Sequence, residues 1–422
     1  MTQASSPQKA PASALWRHGD FLRLWSAQTV SDFGARITRE GLPMMAVMGL
    51  AATAPQLGVL AALASGSALL VGLSVGDFVD HTLRRPILIA MDLARAAILI
   101  VLPIAAWLGH LNIFEVYAAA ASVAACSVLF DIADHAYLPG LVGRSLLMEA
   151  NSRINATESI AEIGGPSLAG VLFQWLTAPI AVAVNAATYV LSAVILAGIR
   201  TPEPAPADAG QRRGWVDGVI TGARTSWAEP RVRMLLVMTG VGAVFGGFFS
   251  ALYIAYVLRD LGLSPALLGL GIAAGGVGAL AGSMLAQFMA RGLGVGLAIC
   301  VSGVLSALGT MIVLLAPANP VGGTAALVIS QILGDAFGVV PLILTTTFRQ
   351  SVLPQNLLGR VGATFRVVGG GAAVLGALLG GVLGQALGLR EALLIAVAGL
   401  MIGPVVGAFS PLRAVKAMPV GP

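Results

Sequence analysis

Four charged side chains crowd one short stretch of an otherwise apolar sequence. SDFGARITREGLP, residues 31–43, holds Asp32, Arg36, Arg39 and Glu40. Asp32, Arg36 and Glu40 recur at i, i+4 and i+8, and Arg39 is i+3 from Arg36. On a helix they share one face. Carboxylates and guanidiniums so placed can exchange partners, and a carboxylate that gives up its arginine can take up a proton or a cationic group. Two arrangements are open. Asp32–Arg36–Glu40 is a self-neutralising ladder that only holds the helix in a bundle, or it lines an aqueous path and its pairs open when cargo or protons bind.

Other groups share this chemistry. Asn151, Asn155, Glu158 and Glu162 are spaced 4, 3 and 4, again one helix face. Glu158 and Glu162 carry protons or salt-bridge to Arg144, Arg153 or another part of the chain. GGPSLAG follows, where Pro166 removes a helix hydrogen bond and Gly164, Gly165 and Gly170 permit close helix packing. Asp335 is a lone acid in QILGDAFG, a functional candidate by its place in an apolar run. Phe245, Phe249, Tyr253 and Tyr256 form an aromatic stripe that suits a bulky, partly apolar cargo or ordinary packing. Enzyme chemistry finds no footing. H-E-x-x-H and G-x-x-x-x-G-K-[ST] are absent, the four histidines are scattered, and Cys126 and Cys300 sit in apolar runs. No metal or other cofactor is expected.

The elements that must position these groups are membrane helices. The chain has 422 residues, 57% hydrophobic and 10% charged, with a mean hydropathy of +0.89. Soluble domains carry roughly 25% charged residues. Twelve spans are expected: 21–49, 56–77, 86–108, 113–136, 151–175, 179–199, 232–257, 264–289, 294–315, 321–346, 359–386 and 391–411. Arg36 then lies 14 residues beyond Leu22, roughly 21 Å into a hydrocarbon core about 30 Å thick. Four charges at such depth cost up to roughly 10–14 kcal/mol, against an apolar return of about 3–5 from the rest of the span. They cannot face lipid unpaired.

Charge sets the orientation. Of 24 Lys and Arg, Arg36 and Arg39 lie in span 1, and Arg259 and Arg390 follow spans 7 and 11. The others fall in the termini, the even-to-odd loops or the adjoining helix ends. The positive-inside rule places that side, with both termini, in the cytoplasm, as for an inner (plasma) membrane protein. The pI near 9.7 therefore needs no nucleic-acid partner. The expected units are a tail 1–20, a six-helix half 21–199, a linker 200–231, a second six-helix half 232–411 and a tail 412–422. Within the linker, WVDGVITGARTSWAEP suits a short amphipathic helix. The halves echo each other. Leu138-Pro139 matches Leu353-Pro354 at offset 215, and Gly170–Leu172 matches Gly381–Leu383 at offset 211. Such duplication implies a transporter with its site between the halves.

The loop GDFVDHTLRRP, 76–86, resembles the signature loop G-x-L-A-D-R-x-G-R-R/K of the major facilitator superfamily. Gly76, Asp80, Arg84 and Arg85 match, while His81 and Leu83 depart. FLRLWSAQTVSDFG, MDLARA (91–96), EAN…GP…AG (149–170) and LGRVGATF (358–365) are similar to its efflux branch containing macrolide pumps and the enterobactin exporter. The resemblance implies an all-α fold of two pseudo-symmetric six-helix bundles and a monomer working by alternating access. It implies proton-coupled export of a hydrophobic or amphipathic small molecule, with import or lipid transport on the same fold as the alternative. It implies a gating latch. Asp80 would sit at the N-terminus of span 11, and Arg84 or Arg85 would pair with Asp131 or Asp134 when the cytoplasmic side is closed. Simple anchoring by the two arginines is the other reading. Span 4 lacks the arginine common in proton-driven drug pumps of this superfamily.

Overall fold

The computed structural model describes residues 15–203, 215–317 and 319–418. Most of the N-terminal tail, linker residues 204–214 and the last four residues lie outside this set. Among the described residues all regular structure is helical. The first helices are α1 (Gly19–Gly49), α2 (Ala54–Ser74) and α3 (Arg84–Trp107). The segment Ile113–Trp175 is helical for 63 residues, about 95 Å, far more than a bilayer needs. It is two spans, α4 (113–142) and α5 (144–175), because Gly143 breaks it at φ 70 and ψ 167, a conformation open to glycine. The stretch YLPGLVG, expected to be interhelical, is thus the end of α4, with Pro139 inside the helix. Then follow α6 (Ala178–Ala197), α7 (Pro230–Ala255), α8 (Pro265–Leu293), α9 (Val295–Leu314), α10 (Pro320–Val352), α11 (Gln355–Leu387) and α12 (Leu389–Ala408).

The sequence starts these helices with recognisable caps. Asn112 accepts from the amides of Phe114 and Glu115, and Glu115 answers by accepting from the Asn112 amide. On α2 Gln56 likewise accepts from the Thr53 amide, at 2.8 Å. Pro265 and Pro320 occupy first-turn positions that tolerate a missing N–H. A linker helix, Trp215–Ala228, packs on α11 rather than lying free. Thr364 Oγ1 donates to the Val219 carbonyl at 2.9 Å, and Gly222 sits against Arg360 and Thr364.

An even number of spans puts Leu15 and the α12 end on one side, with the basic loops; we call it the basic face and the other the far face. At the far face the halves are locked. Gly58 of α2 lies against Ala377 and Gly381 of α11, and Gly170 of α5 against Pro265 and Ala266 of α8. Gly269 of α8 returns against the Pro166 carbonyl. Arg259 donates to the carbonyls of Ala52 (2.8 Å) and Val47 (3.0 Å), so this far-face arginine ties the end of α7 to the exit of α1. Arg390 does the same for Leu314 at the end of α9 (2.8 Å). Among the described residues the hydrogen bonds between the halves, made by Ser167, Gln174 and Arg259, all lie toward the far face, and Gly359 near the start of α11 faces open space.

The glycine contacts are backbone on backbone, so a side chain there cannot be absorbed by a rotamer change. Overpacking of this kind costs about 1–3 kcal/mol, a roughly 5- to 150-fold shift in a two-state balance. Gly269→Val should therefore open the far-face seal. The measurement is labelling of Leu57→Cys, at a position buried in the wild-type protein, by an impermeant maleimide applied at the far face. Labelling that does not rise in the valine variant would show that the seal does not rest on this contact.

Candidate functional site

Below the far-face lock lies a cavity of about 850 Å³, walled by α1, α2, α4, α5, α6 and α7. One part of its wall is apolar, with Leu57, Leu60, Ala61 and Ala64 of α2 and Ala120, Ala124 and Val128 of α4. Phe249 and Tyr253 of α7 close it from the C-terminal half, their rings 6.1 Å apart. Tyr253 donates to Gln331 Oε1 at 3.2 Å. The aromatic stripe divides here. Phe245 packs on Gly399 of α12, and Tyr256 is buried with its hydroxyl on the Val313 carbonyl, 3.1 Å away.

The polar wall differs from the ladder the spacing suggested. Arg36 does not bridge Asp32 and Glu40; its guanidinium pairs with Glu162 of α5. Arg39 pairs with Glu40 at 2.9 Å and reaches Glu162 at 3.4 Å. The physical reason is Gly165. A Cβ there would overlap the Arg36 stem, so its absence lets Arg36 lean across to α5. Gly164 lies beside the Phe33 ring, while Pro166 and Gly170 serve the contact with α8. Arg39 and Glu162 side chains are 51% and 47% exposed. Pairs as open as this contribute only about 0–1 kcal/mol and are free to exchange.

Asp32 makes no hydrogen bond or ion pair among the described residues. It shares the cavity wall with Asp131, Asp134, His135 and Glu158. Gln28 donates to Asp134, and His135 Nδ1 meets the Asp131 carbonyl at 2.7 Å. Once Glu40 and Glu162 have neutralised the two arginines, this wall carries an excess of carboxylates. Asp335 lies outside it. The side chain is exposed on α10 and abuts Gly275 of α8, near enough to Glu162 for the two charges to interact.

The loop at 76–86 does not make the contacts expected of a latch. Gly76–Asp80 is a single helical turn, and Asp80 is exposed and not joined to α11. Arg84 and Arg85 do not meet Asp131 or Asp134. Glu203 caps the start of α3, accepting from the amides of Arg84 (2.7 and 2.9 Å) and Arg85 (3.1 Å). The Arg85 side chain donates to the carbonyls of Leu196 (3.2 Å) and Ala197 (2.5 Å) at the end of α6. Nearby, Asp20 accepts from Thr201 and from the Arg200 amide. Burial alone would raise its pKa, but these bonds and that from Arg23 hold it down at about 2.

Sequence reasoning missed the most buried charges. Asp92 and Arg95 of α3 pair inside the N-terminal bundle, 0% and 1% exposed. Arg95 also donates to Ser31 (3.1 Å) and Ser127 (3.3 Å) and lies over the rings of Phe130 (4.5 Å) and Tyr189 (4.3 Å). Arg95 is therefore no helix-end anchor, as its basic-side assignment implied. The signal was present: it stands 11 residues into α3, roughly 16 Å along the axis.

The family described as transmembrane secretion effector matches residues 10–422. No curated protein matches the sequence. Solved structures match along nearly the whole chain. A bacterial homologue of the iron transporter ferroportin, in an inward-facing state, gives a TM-score of 0.75 at 15% identity, covering 94% of this chain and 98% of that one. A bacterial homologue of the human lysosomal transporter Spinster, inward-facing and unoccupied, gives 0.71 at 13%, covering 96% and 98%. The nucleoside transporter NupG gives 0.71 at 13%, covering 92% and 98%. At these identities the likeness is one of fold.

Proposed function

Because the chain belongs to the transmembrane secretion effector family, and so is a transporter of the major facilitator superfamily, we propose that it exports an amphipathic small molecule in exchange for protons. The single observation that carries this reading is the cavity: sealed by the far-face contacts, mainly apolar, with a polar wall rich in carboxylates. The positive-inside rule makes the basic face cytoplasmic, with both termini there and the protein in the inner membrane. Cargo then loads from the cytoplasm. The apolar wall and the Phe249–Tyr253 pair hold its body, and the carboxylates hold its polar end or the proton that replaces it.

Alternating access follows from the same contacts. Opening the far face separates α2 from α11 and α5 from α8. Closing the basic face brings the 76–86 turn to α11, where Asp80 can meet the open amides of the first turn. Arg36, Arg39, Glu40 and Glu162 exchange partners during this movement, and Asp32 and Glu158 bind protons. Nothing in this cycle needs a cofactor or a second copy of the chain.

The test uses inverted vesicles holding the full-length protein, an imposed proton gradient and a panel of fluorescent amphiphiles. Gradient-dependent accumulation inside, with proton release, is the expected result. Accumulation only in right-side-out vesicles would make the protein an importer and sink the export reading.

A further inference from the structure

The C-terminal bundle contains a second cavity, of about 630 Å³, in the half nearer the basic face. It lies among α7, α9, α10, α11 and α12, within one bundle, and shares no wall residue with the transport cavity. The duplication explains its presence. The first residues of α3 and α9, Arg84 and Val295, stand 211 apart, and this offset carries Asp92 to Gly303 and Arg95 to Ser306. In the N-terminal bundle this place is filled by the Asp92–Arg95 pair. In the C-terminal bundle the same positions hold a glycine and a serine, and the space stays hollow.

Two arginines face the hollow. Arg349 lies over the Phe365 ring at 4.1 Å and donates weakly to Thr346 at 3.4 Å, while its Nε is buried without a partner. Arg366 lines the same wall. Among the described residues neither forms an ion pair, and no Asp or Glu lines the cavity. The Arg349 guanidinium is partly desolvated and is repelled by that of the exposed Arg366, and an anion between the two would relieve both costs. Planar forks of this kind match a phosphate or carboxylate. Beyond the arginines the wall turns apolar, with Leu235, Met238, Ile299 and Leu400.

We propose that this cavity binds an amphipathic anion, with a phosphate or carboxylate head on Arg349 and Arg366 and an apolar tail among α7, α9 and α12. An anionic lipid of the adjoining leaflet and a soluble phosphorylated compound present the same head, and the experiment separates them.

Purified full-length protein is placed in mixed micelles with phosphatidylglycerol, with phosphatidylcholine, or with inorganic phosphate and no added lipid. Retained ligand is counted by native mass spectrometry, and the melting midpoint is followed. Wild type should retain phosphatidylglycerol at least tenfold over phosphatidylcholine. Arg349→Gln with Arg366→Gln should remove that preference, and the paired lysine variant should keep most of it. Arg231→Gln, an exposed arginine outside the cavity, should change nothing. Gly242→Leu fills open space on the cavity wall without a clash at its Cβ, so it tests the tail site with both charges intact; it should lower retention. Stabilisation by phosphate alone, lost in the glutamine pair, would assign the site to a soluble anion. An unchanged phosphatidylglycerol preference in the glutamine pair, or no preference for either anion in wild type, would overturn the proposal.

Discussion

Replacing Arg95 with leucine should destabilise the protein by about 3–5 kcal/mol, more than any other single change in the N-terminal bundle. Asp92 would remain fully buried, with its cation gone and Oδ2 already without a partner. An uncompensated carboxylate in a membrane protein interior has no water to turn to. The loss should appear as a lower melting midpoint in detergent and lower yield in the membrane. Arg95→Lys keeps the charge but gives up the fork to Ser31 and Ser127 and the flat packing between Phe130 and Tyr189. It should cost about 1–2 kcal/mol. The decisive variant is double. Asp92→Leu with Arg95→Met removes both charges, and most of the stability should return, because a buried pair is often replaceable by apolar groups of similar size. A single leucine variant that melts within about 0.5 kcal/mol of wild type would show that the pair is not structural.

The contrast between α3 and α1 shows what a sequence can and cannot reveal. Span existence was legible because length and apolarity decide it. Each of the twelve expected spans corresponds to one helix among the described residues, and only the ends moved. The break between α4 and α5 was legible as a boundary but not as Gly143, since Pro139 carries the louder local signal. Partner choice was not legible. Arg36 has Asp32 and Glu40 one turn away, yet pairs with Glu162, 126 positions along the chain. What decides it is the rotation of α5 against α1, set by the small residues at 164 and 165. Glu203 was hidden for another reason. It reads as part of a polar linker, and its role as a cap on α3 depends on where the chain leaves α6. The Asp92–Arg95 pair was visible as charge at membrane depth; what the sequence withheld was the set of serines and aromatic rings that enclose it.

Asp32 is where the cavity's charge and the proposed coupling meet, so Asp32→Asn should have the largest effect on transport. Its carboxylate forms no ion pair among the described residues, and Asp131, Asp134 and Glu158 share its wall. In a cavity of lowered dielectric, carboxylates without cations attract a proton or the positive end of a cargo strongly. Asparagine keeps the size and removes that attraction. Arg36 and Arg39 already have Glu162 and Glu40, so the variant leaves their pairing intact and should fold as wild type does. Proton-driven accumulation in inverted vesicles should fall at least tenfold, equivalent to about 1.4 kcal/mol. Exchange of labelled for unlabelled cargo, which needs no net proton movement, should fall much less. The two readouts divide the possibilities. Loss of both would place Asp32 in cargo binding, and loss of accumulation alone would place it in coupling. Glu162→Gln should behave differently from either. It releases Arg36 and Arg39 into a cavity of carboxylates, where Asp32 becomes the nearest new partner for Arg36, one turn away on the same helix face. That variant should lock the charges into the ladder the native protein avoids, and slow both exchange and accumulation. If Asp32→Asn leaves both assays unchanged, the free carboxylate of α1 has no part in the cycle, and coupling must be sought at Glu158 or Asp335.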